Sequence, residues 1–307
     1  MCQKKLCEFT NCFPEIGFGP GVTVPTPTSI FFQTDNKLIS LCRKVVNKTL
    51  RAPYYQKKYL NAIVESLNVG FRLIDYSASY GDGKVFSKAM RISNVSRNEL
   101  FITNRVSNKA QFNNQVRQEF YTYLENMKLD YIDLLQFHWP VTNYFLDTWK
   151  QMEKLKDEGV VKHLGVANCN KHHFESILEI CNYCPEVVQI EIHPLFTQKS
   201  LVNYYKSINI IIEAYTPVAR YDGRLVELPF LKSLEKKYHK SFAQIILRWH
   251  IQNGIIPIIR SMNPVHIRAN FDIFDFNLTE EEIKAIDSLN INSRLRYDPD
   301  NCDFSIL

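Results

Sequence analysis

An aspartate, Asp75, closes the apolar stretch Phe71 to Ile74, and a phenol, Tyr80, follows five residues later, ahead of the turn Gly81-Asp82-Gly83. A carboxylate and a phenol at the end of a strand are groups that can hold and pass a proton. A free tyrosine has a pKa of ~10 and donates poorly near neutrality unless a cation or a hydrogen bond tunes it. Cationic and polar residues recur at the ends of other apolar stretches: Arg105, His138, Asn168, Tyr215 and Arg260. Each alone reads equally well as a solvated residue capping a strand. Six such placements in one chain are hard to attribute to capping.

The elements that must carry these residues alternate in type. Strand-like segments fall at 16–19, 71–75, 100–104, 132–138, 162–167, 187–191, 209–215 and 255–260. Helical patterns fall at 57–67, 84–91, 111–127, 145–158, 171–181, 199–206, 241–253 and 264–271. Eight strands, each followed by a helix, predict an α/β fold of the (β/α)8 TIM-barrel class in a single domain. The stretch Ile132-Asp133-Leu134-Leu135-Gln136-Phe137 is apolar nearly throughout, which suits a strand covered on both faces. Active sites of such barrels lie at the C-terminal ends of the strands, where the six residues stand.

Local chemistry marks several boundaries. Asn263-Pro264 reads as an N-cap followed by proline at the first helical position, and Thr279-x-x-Glu282 as a capping box opening an extra C-terminal helix. Residues 6–19 read as a short β-hairpin, capping the barrel bottom, that leads into the first strand. Residues 22–56 are an insertion far longer than the usual ~2–6-residue connection. Within it, Leu38, Ile39, Leu41, Cys42, Val45 and Val46 recur at helical spacing. A loop leaving the first strand emerges on the catalytic face, so this insertion is expected to cover the active-site mouth.

Composition narrows the class. The chain has 307 residues, 45% hydrophobic and 22% charged, as in an ordinary globular protein. No apolar run approaches the ~20 residues needed to span a bilayer, and Met1 to Lys5 carry no apolar signal region, so a cytoplasmic location is expected. The net charge of +5 is dispersed, without helix-turn-helix or zinc-finger spacing. It suits a phosphorylated small molecule better than nucleic acid. Eight cysteines include one C-x-x-C, Cys181 and Cys184, with no second pair to complete a zinc site; they read as reduced thiols. Neither composition nor motif specifies an oligomeric state.

The stretch 69–83 resembles the G-[FY]-R-x-I-D-x-A-x-x-Y-G signature of the aldo-keto reductases. Glu99-Leu100-Phe101-Ile102-Thr103-Asn104-Arg105-Val106 is similar to that family's E-L-F-I-T-x-K-V, and Phe137-His138-Trp139-Pro140 to its I-H-W-P. Asn290, Arg294, Asp298 and Pro299 match its N-x-x-x-R-x-x-x-D-P tail, which closes over the substrate site. The resemblance implies reduction of an aldehyde or ketone by direct hydride transfer from NADPH, with NADH possible, and without metal. Tyr80 would then be the proton donor, Asp75 and Arg105 its tuning pair, and His138 the group that orients the carbonyl.

Arg105 occupies the position of the family's lysine. Arginine keeps the charge and can pair bidentately with Asp75, but it is bulkier and its donors point differently. For the cofactor, the resemblance assigns Asn168 and Gln189 to the nicotinamide carboxamide and Tyr215 as the stacking ring, with Gly19, Ala167 and Thr216 also among the cofactor-binding residues. Arg260 and Ser261 would hold the 2′-phosphate and Asn270 the adenine side. His266 and Ala269 replace a family arginine and glutamate. No G-x-G-x-x-G is present, against a Rossmann domain. A cofactor-binding barrel with weak turnover, acting as a redox-sensing or regulatory protein, is the alternative that Arg105 favours. A non-nucleotide scaffold would leave the carboxamide and stacking residues without a reason to be together.

Overall fold

In the computed structural model, residues 13–20, 52–77 and 83–306 are described. The strands are β1 (Gly17–Phe18), β2 (Leu73–Asp75), β3 (Phe101–Val106), β4 (Ile132–Phe137), β5 (Val161–Ala167), β6 (Val187–Glu191), β7 (Ile211–Tyr215) and β8 (Ile256–Ile259). They pair in parallel in sequence order, and β1 returns to β8, which closes the barrel. The predicted (β/α)8 architecture is therefore the observed one. Its core is dry: Leu134, Leu164, Val166 and Val187 have no accessible surface.

The helices around it are α1 (Ala52–Val69), α2 (Gly83–Ser93), α3 (Asn108–Phe112), α4 (Val116–Met127), α5 (Phe145–Asp157), α6 (Lys171–Ile180), α7 (Lys199–Ser207), α8 (Gly223–Val226), α9 (Pro229–Tyr238), α10 (Phe242–Gln252), α11 (Pro264–Phe271) and α12 (Glu280–Asp287). In α1, Tyr59, Ile63, Ser66 and Leu67 are buried at helical spacing, so one stripe faces inward against α2 and α11. The expected caps are formed. The Asn263 side chain accepts from Val265 N at 3.0 Å, with Pro264 at the first helical position, and Thr279 and Glu282 close their reciprocal box.

The structure departs from the sequence reading in four places. The helix expected at 111–127 is two helices, because Ser107 caps α3 and Asn114 then turns to φ 54° before α4 begins. Helix α9 was not expected; Leu228-Pro229 starts it and His239, at φ 53°, ends it. Residues 52–56, counted with the insertion, are the opening turns of α1. The first strand is shorter than 16–19. The remainder of the insertion expected to cover the mouth, including its helical pattern at 35–50, lies outside the described residues, as do residues 6–12 of the expected hairpin.

One glycine fixes how closely β5 and β6 approach. A Cβ on Gly165 would lie 2.6 Å from the carbonyl oxygen of Val187 and 3.2 Å from Gln136 Cγ. The first neighbour is backbone and cannot rotate away. Gly165 lies three residues before Asn168 on the strand that carries it to the barrel mouth. Gly165→Ala should therefore cost roughly 1–3 kcal/mol, the usual penalty for overpacking a close contact. A melting curve checks this, and an unchanged transition temperature would mean that the two strands separate freely.

Candidate active site

The six strand-end residues converge. Asp75, Arg105, His138, Asn168 and Tyr215 line one cavity of about 600 Å³ at the C-terminal mouth of the barrel, and Arg260 stands at its edge after β8. Gly19, Ala167, Gln189, Thr216 and Ser261 line the same cavity. On α11, His266 is exposed and Asn270 is buried, and neither lines this cavity. Tyr80 lies outside the described residues. In the sequence it follows Asp75, the last residue of β2, by five residues.

The centre of the site is a buried ion pair. Arg105 Nη2 donates to Asp75 Oδ1 and to Gln189 Oε1, each at 2.5 Å. The two charged side chains are only 2% and 3% exposed. β3 and β6 are not neighbours, so the guanidinium reaches across the barrel interior rather than along the sheet. Behind it, Gln189 Nε2 donates to Glu213 Oε2 at 2.8 Å, and Gln136 Nε2 approaches the same oxygen at 3.4 Å. Both polar ends of Gln189 are thus engaged by this chain, leaving it one acceptor lone pair and one N–H for a carboxamide.

Glu213 was missed in the sequence reading, although its signal is visible: it is the one acid in the otherwise apolar Ile211-Ile212-Glu213-Ala214. It has no accessible surface. Burial first, and the Asp75 carboxylate second, raise its pKa well above the usual carboxylate range, against the opposing pull of Gln189 and Arg105. Its Oε1 has no hydrogen-bond partner among the described residues.

His138 is half-buried in the cavity wall. Loss of hydration, then the charges of Arg105 and Arg296, lower its pKa to about 3, so it is a neutral imidazole through the physiological range. It can bond a polar ligand atom without being charged itself. The carbonyl of His138 accepts from Asn168 Nδ2 at 2.8 Å, and Asn168 Oδ1 accepts from the Tyr215 hydroxyl at 2.6 Å. The Asn168 amide N–H donates to the Gln189 carbonyl at 2.8 Å. With φ 59°, a left-handed turn that asparagine tolerates well, Asn168 ties the ends of β4, β5, β6 and β7 together.

The loop after β7 is strained. Thr216 has φ 49°, unusual for a β-branched residue, and Ala219, Arg220 and Tyr221 follow at φ 48°, 53° and 58°. The loop is held from beneath, where the ring nitrogen His250 Nε2 lies 3.1 Å from the Pro217 carbonyl. Two features of this wall fit a phosphorylated nicotinamide cofactor. Arg220 and Arg260 are exposed cations at the cavity with no carboxylate in ion-pair range among the described residues. Thr216 Oγ1, next to Tyr215 in the chain, is buried without a partner among the described residues. Arg220 and Arg296, both cavity-lining, were also absent from the sequence reading.

The C-terminal tail closes one side. Leu295 N and Arg296 N donate to the two oxygens of Glu191 at 2.6 and 3.1 Å, and His193 Nε2 lies 3.0 Å from the same carboxylate. Asn290 Oδ1 accepts from Thr197 N at 3.1 Å, and Arg294 lies over the Phe196 ring at 4.6 Å. Beyond Asp298 and Pro299, Asp300 accepts from Asn170 Nδ2 at 2.7 Å, and Phe304 meets Trp139 at 6.4 Å between ring centroids.

Comparison with known proteins agrees with this geometry. The Aldo/keto reductase family profile matches residues 48–291. A glyoxal reductase of Bacillus subtilis is 37% identical over 79% of this chain and 87% of its own length. A 9,11-endoperoxide prostaglandin H2 reductase of Trypanosoma cruzi is 38% identical over 78% and 86%. Among solved structures, an aldo-keto reductase from a Medee basin deep-sea metagenome library superimposes with a TM-score of 0.81 at 32% identity, covering 95% of this chain and 96% of that one. The Bombyx mori aldo-keto reductase in complex with NADP gives 0.76 at 29% identity, covering 94% and 92%. The chain belongs to the aldo/keto reductase family.

The buried acid yields a pH prediction. A raised carboxylate pKa means that the folded protein binds more protons than the unfolded chain above the ordinary value of 4.5. Glu213 therefore withdraws stability as pH rises through its folded pKa. Glu213→Gln keeps the size and removes that charge, so its melting temperature relative to the parent should rise between pH 4.5 and about 7 and level off above. A difference that stays constant over that range would mean that Glu213 does not change protonation there.

Proposed function

We propose that this chain is an NADPH-dependent carbonyl reductase, able to use NADH less well, that converts a small aldehyde or ketone to an alcohol. The observation that carries the reading is the meeting, in one cavity, of the buried Asp75–Arg105 pair, the neutral His138 ring, the Tyr215 ring and the exposed Arg260. A reduced nicotinamide supplies the hydride when bound. Asn168 and the free valences of Gln189 would hold its carboxamide, the Tyr215 ring would lie against its face, and Arg260 with Ser261 would take the 2′-phosphate. His266 and Asn270 would extend that contact along α11 to the adenine side.

Tyr80 is the proposed proton donor. Hydride arriving at the carbonyl carbon leaves negative charge on oxygen, and the phenol proton passes to that oxygen. The phenolate left behind is favoured by a nearby cation, the role assigned to Arg105, with Asp75 holding the guanidinium in place. His138, neutral, would donate a hydrogen bond to the carbonyl and fix its angle. The reductase relatives named above, one of them acting on glyoxal by its name, support small reactive carbonyls as the first substrates to try.

Oxidation of NADPH and NADH, followed with glyoxal, methylglyoxal and simple aldehydes, tests the proposal. Tight cofactor binding with no turnover would instead favour the sensing or regulatory barrel. Tyr80→Phe should lower turnover by roughly 10²–10⁴-fold with cofactor affinity nearly unchanged; equal rates would remove Tyr80 from the mechanism. Arg105→Lys should keep or raise turnover, because an ammonium can still pair with Asp75. A folded Arg105→Lys protein with much lower activity would mean that the second contact, to Gln189, is one the site depends on.

A further inference from the structure

A cluster outside the cavity joins the start of α6 to the C-terminal tail. His172 and His173 are the second and third residues of α6, and the tail brings Asp300 over that end of the helix. Adjacent helix positions ordinarily point apart. Here both rings reach one oxygen: Asp300 Oδ1 lies 3.2 Å from His172 Nε2 and 3.5 Å from His173 Nε2, and the ring centroids are 4.0 Å apart. The three atoms lie within 4.8 Å of one another, and no other trio of His, Cys, Asp or Glu side chains among the described residues meets in this way.

Hydrogen bonding accounts poorly for this meeting. Asp300 Oδ2 already accepts from Asn170 Nδ2 at 2.7 Å, so Oδ1 faces two imidazoles, both beyond the ~3.0 Å of a well-made N–H···O bond. A cation of the zinc type bonds nitrogen and oxygen at about 2.0–2.2 Å, which sets tetrahedral ligand atoms about 3.4 Å apart. The two imidazole-to-carboxylate separations bracket that value. The His173 ring is also in the state a ligand needs. It is buried, and loss of hydration, then the charge of His172, lower its pKa to about 4 against the opposing pull of Asp300 and Asp298. Its imidazole is therefore neutral near pH 7. Asn170 gives the carboxylate the kind of outer hydrogen bond that orients a ligand, and the exposed His172 ring has room to turn. One bond opposes ligation: Asn170 N donates to His173 Nδ1 at 3.2 Å in the capping box of α6. Binding through Nε2 moves the ring proton to Nδ1 and forfeits that bond, so affinity should fall below that of a closed structural site.

We propose that His172, His173 and Asp300 form a binding site for a zinc-type divalent cation, which clasps the C-terminal tail to the first turn of α6. Two imidazoles and one carboxylate suit such an ion and leave its fourth tetrahedral position to water or a small anion. The site is separate from the carbonyl chemistry, since none of the three residues lines the cavity. It is nevertheless close to the mouth in the chain: Asn170 follows the cavity-lining Asn168 by two residues, and beyond Asp300 the tail returns to Trp139 through Phe304. A bound ion would hold that return in place from outside.

The test titrates the chelator-treated full chain with Zn²⁺ by calorimetry, and with Co²⁺ as a coloured probe by absorption. One Zn²⁺ per chain is expected, with a rise in melting temperature and a cobalt spectrum that lacks thiolate charge-transfer bands. His172→Ala and Asp300→Asn should each weaken binding by about tenfold or more, at least the cost of losing an outer-shell partner. His173→Gln separates ligation from folding, because glutamine at that position keeps the capping box and removes the imidazole. It should fold and lose the zinc-dependent rise. Zn²⁺ binding that survives with parent affinity in the His172→Ala/His173→Gln double variant would overturn the site. Thiolate bands in the cobalt spectrum, as Cys181 and Cys184 would give, would overturn it by placing the ion elsewhere. So would the lack of saturable binding to the parent below about 1 mM.

Discussion

A guanidinium buried inside the barrel has to be answered by acceptors from several strands at once, and Arg105 is answered by Asp75 and Gln189. Such a charge is costly to bury and costlier to leave unpaired. Removing Asp75 would take away the carboxylate that faces this buried guanidinium. The requirement extends outward, because Gln189 is itself held by Glu213, and Glu213 by its setting among Gln136 and Asp75. The cluster holds two acids and one base. If Glu213 carries a proton the cluster is neutral, which is the cheaper state in a dry interior.

Arginine at this place changes what the barrel floor has to supply. Both of the contacts above are made through Nη2, one to the strand that precedes Tyr80 and one to the strand that ends on the tail anchor Glu191. Arg105 thus joins the Asp75 side of the cavity to the Gln189 side.

The rest of the mouth is built by backbone constraint. Asn168 closes hydrogen bonds to His138, Tyr215 and Gln189, so four strand ends are tied together. The run of left-handed residues after Tyr215 persists because His250 grips Pro217 from the core and Ala219 N returns to the Thr216 carbonyl at 2.9 Å. Unfavourable dihedrals survive only where surrounding contacts over-determine them, and here they face the cavity. On the opposite side the tail is pinned through main-chain N–H groups. Its side chains take part as well: Asn290 accepts from Thr197 N, Arg294 lies over the Phe196 ring and Asp300 accepts from Asn170.

The alternation of apolar runs and helical patterns was enough to read eight strands and a closed parallel barrel, because each strand is buried on both faces and each helix shows one apolar stripe. Caps at Asn263 and Thr279 were legible for the same local reason: a side chain and a backbone N–H two or three residues apart decide them. The break at Asn114 and the helix Pro229–Tyr238 were not. A left-handed turn inside a periodic stretch leaves the periodicity nearly intact, and α9 lacked a long enough apolar run to be noticed. Residue by residue, the resemblance assigned Asp75, Arg105, His138, Asn168 and Tyr215 to one site, and each of them lines one cavity. What only the tertiary structure decided is the set of contacts made across the barrel. Glu213 behind Gln189, the neutral state of His138 and the reach of Arg296 all join residues separated by tens of positions in the chain. Burial and charge at such places come from neighbours that no local pattern records.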